Sequence, residues 1–251
     1  MYRFTTRTVT FWSAAAPGRE IVGEAAMTGV SAIIPTLNEA AHLAATIDAA
    51  RDAGVDEIIV SDGGSVDPTV EIARSLGARV ITGERVRARQ LNRGAEEASH
   101  DALLFLHADT LLPHGAADAI RRAIDAGLEF GGFRIAFIEP HFRLRYVAFL
   151  VNARTRMTRA PWGDQAQFAR RDAFARAGGY PDFPIMEDYE LARRMSRAGR
   201  TTLLPLTVRT SGRRFLSNGV VRTSIVNWTV IAAYHLGVSP ERLAKWYRGV
   251  R

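Results

Sequence analysis

VSAIIPTLNEAAHLAATIDAARDAGVDEIIVSD, residues 30–62, decides the architecture. Val30 to Pro35 form a short, almost wholly apolar run, the length and composition of a buried strand. Residues 39–53 place Leu43, Ile47 and Ala50 on one helical face, and Gly54 supplies a stop. Residues 57–62 are a second apolar run, and it ends on the carboxylate of Asp62. Strands that are apolar throughout, rather than alternating, belong to a parallel sheet covered on both faces.

The same alternation continues toward the C-terminus. Asp67 offers a helix N-cap with Pro68 at the first helical position and Gly77 beyond the end. Residues 78–82 read as a short strand and 87–99 as a helix. Residues 102–109, ALLFLHAD, read as a fourth strand, delivering His107 and Asp109 to its end. Further strands are expected at 131–138 and 201–211, a helix at 142–157, and another entered through Glu187 and Asp188. Residues 165–174 are expected to return toward the sheet, and two helices to close the chain. The fold class is therefore α/β, a mostly parallel sheet with helices on both faces plus C-terminal helices. Ligands of such sheets bind outside the carboxyl ends of the strands. Residues 29–251 read as one domain. Residues 1–28 lack sustained periodicity and read as an extension outside the core, with 1–26 expected to be dispensable.

Composition narrows the chemistry. The chain has 251 residues, no cysteine and a formal charge of +7. Disulfides and thiolate metal sites are excluded. Almost every cation is arginine, Lys245 being the one lysine, so no G-K-[ST] nucleotide loop exists. A basic surface favours anionic partners, and phosphate compounds are preferred over nucleic acid, for which no motif is present. No run reaches the ~18 apolar residues of a spanning helix.

Five constellations carry candidate chemistry, and each has a plainer reading. Asp62 precedes two glycines that free the backbone to approach a ligand, or merely to turn. Asp109, at a strand mouth, suits a hard divalent cation shared with substrate phosphates. His107 is a candidate second ligand, though a strand histidine is more often packed. Glu187 and Asp188 open a helix, where acids commonly serve the dipole but where a general base could also sit. Trp162, Gly163, Asp164 and Gln165 combine an aromatic face with polar groups fit for a sugar or polar acceptor. Arg213 and Arg214 could neutralise a diphosphate, or simply be solvated.

Taken in order, VSAIIPTLNE, IIVSDGGSVDPT, LLFLHADT and MEDYEL resemble family 2 glycosyltransferases of the GT-A (Rossmann-like) fold, over residues 29–215. The finer pattern, RARQLNRGA through GDQAQF to TSGRR, is similar to a small bacterial branch of radical-SAM/selenodomain-associated transferases. The resemblance implies an inverting transfer from a nucleoside-diphosphate sugar, a UDP-sugar by preference. It implies that Pro35, Thr36, Glu39, Asp62, Arg87, Gln90 and Asn92 bind the donor, with Arg213 and Arg214 on its diphosphate. Asp109 would be the metal ligand for Mg2+ or Mn2+ and Asp188 the catalytic base. Trp162, Asp164, Gln165 and Glu187 would lie on the acceptor side. The chain departs from the family at His107-Ala108-Asp109, where the first acid of D-x-D is missing. It departs again at Asp62-Gly63 instead of a double Asp, and at Leu37 where an aromatic is common.

The acceptor is expected to be a small molecule or a lipid, and the location cytoplasmic. Residues 142–159, apolar with five flanking arginines, and residues 220–236 suggest peripheral contact with an anionic membrane. Two other classes stay open at this point. A nucleotidylyltransferase would carry a Gly-rich basic loop where this chain has PTLNE. A non-catalytic membrane-surface module would have no use for Asp109 and Asp188.

Overall fold

A computed structural model describes residues 28–250. Residues 1–27 of the proposed extension 1–28, and with them the expected dispensability of residues 1–26, lie outside the described residues. Among the described residues eight strands form one sheet in the order β3-β2-β1-β4-β7-β6-β8-β5. The first half holds β1 (Val30–Thr36), α1 (Ala40–Asp52), β2 (Glu57–Asp62), α2 (Thr69–Ser75), β3 (Arg79–Thr82), α3 (Arg87–Glu97), β4 (Ala102–Phe105), β5 (Thr110–Leu111) and α4 (Ala116–Asp125). The second half holds β6 (Phe130–Phe137), α5 (Phe142–Thr158), β7 (Phe168–Arg170), α6 (Arg171–Arg176), α7 (Glu187–Ala198), β8 (Thr201–Thr210), α8 (Arg213–Asn218), α9 (Val220–His235) and α10 (Pro240–Val250).

Period two along β1 explains why helices cover both faces. Val30, Ala32 and Ile34 pack with Leu43 and Ile47 of α1, Ala73 of α2 and Ile120 of α4. Ile33, on the opposite face, packs with Leu91 of α3, Phe174 of α6 and Leu191 of α7. β1 pairs in parallel with β2 and β4, β2 with β3, and β6 with β8. β7 runs antiparallel between β4 and β6, and β5 antiparallel to β8. The chain builds outward from β1 through β2 to β3, then resumes at β4 on the other side of β1. That reversal opens a crevice at the carboxyl ends of β1 and β4.

Two expectations are corrected. The fourth strand ends at Phe105, four residues early, and Asp109 sits in a turn closed by the Thr110 N–H donating to His107 O at 3.1 Å. The chain must leave the middle of the sheet here to reach β8 at the far side, so the ladder stops. Three helices rather than two close the chain, because α8 forms directly after Gly212. No helix among the described residues is long and apolar enough to cross a membrane.

The last two helices are fastened over the start of α7. Met186, Val230 and Leu243 form a small separate core. Tyr234 Oη donates to Glu190 at 2.8 Å, and Tyr189 Oη lies 2.6 Å from His235 Nε2. Glu190 also pairs with Arg193 and Arg194.

Candidate active site

The crevice is an open cleft of about 810 Å3. Pro35 and Glu39 line it from the end of β1, and His107, Ala108 and Asp109 from the β4–β5 turn. Thr210 and Ser211 close it at the end of β8, Phe137 at the end of β6. Arg87, Asp164 and the α8 residues Arg213, Arg214, Phe215, Ser217 and Asn218 complete the wall. The topology thus brings residues more than 170 positions apart in the chain into contact.

At one end of the cleft a single guanidinium joins two carboxylates. Arg213 Nη2 lies 3.0 Å from Glu39 Oε2 and 3.3 Å from Asp109 Oδ2. Burial raises the Asp109 carboxyl above its ordinary range, opposed by Arg213 and reinforced by Glu39. Among the described residues no three His, Asp or Glu side chains converge to hold a metal. The donor set here is one carboxylate, with a second near it. That fits a hard divalent cation whose remaining ligands are substrate phosphates and water. One guanidinium faces two acids, which leaves a net negative charge that attracts a cation.

Behind the part of the wall made by Arg87, His107 and Asp164 the hub is a glycine. The Gly163 N–H donates to Asp188 Oδ2 at 2.7 Å. A Cβ on Gly163 would lie 2.7 Å from Asp188 Oδ2, 2.9 Å from Arg87 Nη2 and 3.1 Å from His107 Nε2. Three functional groups therefore surround one point that only glycine leaves open. Arg87 Nε pairs with Glu187 Oε1 at 2.6 Å, and its Nη2 is 3.6 Å from Asp188. Burial raises the Glu187 carboxyl, although Arg87 draws it down. His107 is pushed down to about 3 by burial and by the charges of Arg87 and Arg214, so the imidazole is neutral at pH 7.

Asp164 stands between these groups. Its Oδ1 is buried without a hydrogen-bond partner. Burial raises its carboxyl, while Arg154, Arg214 and Arg87 pull the other way. Arg154 stacks on the Trp162 ring, 3.3 Å from its centroid, and burial pulls that guanidinium down to about 10. Sequence reading treated Arg154 only as a flanking charge; an arginine eight residues before a tryptophan carries no signal of stacking.

Other expected site residues hold the backbone that shapes the cleft. Gln90 Nε2 donates to Thr36 O at 2.8 Å and Ser61 O at 2.7 Å, tying the ends of β1 and β2 together. Asp62 accepts from the Gly64 and Ser65 N–H groups, the Ser65 hydroxyl and Thr36 Oγ1. Burial would raise its carboxyl, but these bonds outweigh that and hold it below the ordinary range. Asn92 exchanges two hydrogen bonds with the Tyr180 backbone and pins the loop before α7. Gln165 is fully buried, accepting from Arg154, Thr155 and the Trp162 N–H and donating to Phe133 O. Ala166, two residues after Asp164, and Met186, which caps the helix carrying Asp188, have φ of 46° and 72°. Positive φ is unusual for side chains of this kind, and such strain concentrates at working sites.

The family model for glycosyl transferase family 2 matches residues 31–175, more than half of the chain. Glucosyl-3-phosphoglycerate synthase of Mycobacterium tuberculosis is 35% identical over 105 residues, covering 36% of this chain and 32% of that protein. Succinoglycan biosynthesis protein ExoA of Rhizobium meliloti is 30% identical over 193 residues, covering 66% of this chain and 58% of ExoA. The chain spans less than two thirds of the length of either relative. The mannosyltransferase PcManGT from Pyrobaculum calidifontis, solved with GDP-Man and Mn2+, superposes with a TM-score of 0.62 at 18% identity, over 89% of this chain and 70% of that one. Glucosyl-3-phosphoglycerate synthase from M. tuberculosis, solved with phosphoglyceric acid, gives 0.52 at 23%, over 73% and 71%. At these identities the likeness is one of fold.

Proposed function

The chain belongs to glycosyl transferase family 2, and from that premise we propose that it is an inverting glycosyltransferase. It moves a sugar from a nucleoside-diphosphate donor, a UDP-sugar by preference, to a hydroxyl on a small molecule or a lipid. The observation that supports this most is what gathers at one cleft. Asp109 and Arg213, both in its wall, lie 3.3 Å apart where a diphosphate could sit, and Asp188 is held against Arg87, another wall residue, and the Gly163 N–H.

In this reading the nucleotide lies against Pro35, Thr36, Glu39 and Asp62, on the platform that Gln90 and Asn92 brace. Asp109, together with the donor phosphates, would hold Mg2+ or Mn2+. Such a cation, when bound, offsets the negative charge that grows on the departing diphosphate. Arg213 and Arg214 contribute donors and positive charge to the same oxygens. Asp188 takes the proton of the acceptor hydroxyl as its oxygen attacks the anomeric carbon opposite the leaving group, which inverts that centre. Arg87 positions the Asp188 and Glu187 carboxylates. Trp162, Asp164 and Gln165 form the acceptor side, with Gln165 acting through the loop it organises. The protein works in the cytoplasm, touching an anionic membrane face.

The test is a thermal-shift screen of UDP-, GDP- and dTDP-sugars with and without Mn2+, followed by NMR of the product anomer. A nucleotide-selective, Mn2+-enhanced stabilisation and an inverted product are expected. No nucleotide response under any condition, or a retained anomer, overturns the reading.

A further inference from the structure

Helix α5 turns an apolar stripe away from the protein. With about 100° per residue, Leu144, Ala148 and Thr155 share its buried side. The opposite side carries Phe142, Tyr146, Phe149, Leu150 and Met157, all exposed, Met157 to 85%. Arg143 borders this stripe on one flank and Arg145 and Arg156 on the other. Helix α9 repeats the pattern. Val220, Thr223 and Val230 face inward, while Val221, Ile225 and Trp228 face out, followed by Leu236 at 86% exposure. The two helices touch, and the Trp228 ring lies 6.5 Å from that of Trp162, just beyond α5. Two adjoining outward rows of this size are not ordinary monomer surface.

The charge around them is one-sided. Residues 141–163 and 219–240, the segments that carry the two helices, contain six arginines and no Asp or Glu. A second copy of the chain is a poor occupant, because a two-fold contact would set arginine against arginine. An anionic bilayer suits both features. Aromatic and aliphatic side chains sink about 5–10 Å into the interface, and the bordering arginines meet lipid phosphates.

We infer that the outward faces of α5 and α9 dock the protein onto an anionic lipid bilayer. Helix α8 packs on α9 and supplies one wall of the cleft, and its Leu216 is exposed beside that wall. Docking brings the cleft mouth to headgroup level, so the acceptor is a hydroxyl carried by a membrane amphiphile. This last step rests on the glycosyl-transfer reading; the docking does not.

Co-sedimentation with vesicles tests it, using phosphatidylcholine alone and phosphatidylcholine with phosphatidylglycerol. Binding to the anionic vesicles, weakened by salt, is expected. The double variant Arg143→Gln, Arg145→Gln should bind roughly 30-fold more weakly, from about 1 kcal/mol per basic residue. Phe149→Ser with Ile225→Ser should abolish binding while UDP and Mn2+ binding and the melting temperature stay as in wild type. No anionic-vesicle binding overturns the inference. So do binding that these variants leave unchanged, and a concentration-dependent dimer that the Phe149→Ser, Ile225→Ser variant dissolves. Vesicle binding by a protein that binds no nucleotide would fail the transfer reading while leaving the docking face standing.

Discussion

Asp188→Asn and Glu187→Gln should separate two neighbouring acids by opposite signatures. Asp188 accepts the Gly163 N–H at 2.7 Å and the Tyr189 N–H at 2.8 Å, one on each oxygen. An asparagine keeps the first bond by turning its amide nitrogen toward Tyr189, and gives up the second. It also loses the attraction of Arg87 at 3.6 Å, across a partly exposed gap. One hydrogen bond and a weak ion pair amount to about 1–2 kcal/mol, or roughly 2–8 °C in a chain of this size. A general base contributes about 10²–10⁴ in rate, or about 3–5 kcal/mol of barrier. Asp188→Asn should therefore fold, bind donor within about threefold of wild type, less than 1 kcal/mol, and turn over about 10²–10⁴ more slowly. Glu187→Gln breaks the closer pair, 2.6 Å from Arg87 on a nearly buried carboxylate. Because Arg87 keeps Asp188 and some solvent, the cost is discounted from the 3–5 kcal/mol of a fully buried pair to about 1–3 kcal/mol. Its turnover should fall less than that of Asp188→Asn. Calorimetry for donor binding, melting curves and product formation measure all three quantities. Glu187→Gln inactive with normal donor binding, beside an Asp188→Asn that retains turnover, would reverse the roles. Loss of donor binding in both would make the pair structural and refute the reasoning.

Asp109→Asn should erase the Mn2+-dependent part of nucleotide stabilisation in a melting assay, leaving metal-free binding within about 1 kcal/mol of wild type. Gly163→Ala should drive apart Asp188, Arg87 and His107, costing about 1–3 kcal/mol of stability and at least about 10² in turnover, measured by melting and product formation. Asp164→Asn should stabilise the fold at pH 7. Burial raises this carboxyl in the folded state, so the wild type favours the proton-bound form and loses stability as pH climbs above the ordinary carboxylate value. The gain in the variant should thus grow with pH and vanish below about 4, and melting curves from pH 3.5 to 8 check it.

The alternation from Val30 to Phe105 was legible because β1, β2 and β4 are buried on both faces, which leaves runs such as AIIP and ALLF with no polar interruption. Asp67, expected as the cap, stands one residue before it, because α2 begins at Thr69 with Pro68 as its N-cap; its carboxylate accepts the Thr69 and Ala40 N–H groups, each at 3.1 Å, beside two helix starts. The later strands left weaker traces. β7 has three residues, and its place between β4 and β6 depends on pairing with partners 37 to 68 positions away. No local pattern marks such a strand. The acids and arginines of the cleft could be named from their positions at element ends. Their pairings could not. Arg87 with Glu187, Arg213 between Glu39 and Asp109, and Arg154 on Trp162 are all set by the way distant segments are folded together. The left-handed turns at Ala166 and Met186 had no glycine or asparagine to announce them.

If the cleft takes the proposed donor, Arg213 would let it exchange partners without changing its charge. Before a donor arrives, one guanidinium is shared between Glu39 and Asp109. A diphosphate accompanied by a divalent cation enters nearly neutral, so the sum of charge in the crevice is hardly altered. Under the proposed transfer, what would change is who is paired with whom: Asp109 would be released from the arginine, and the guanidinium would be released for phosphate oxygens. Recognition then has the character of a swap of ion pairs rather than a neutralisation. Its equilibrium should respond only weakly to ionic strength, unlike attraction of a bare anion to a basic surface, which salt suppresses steeply.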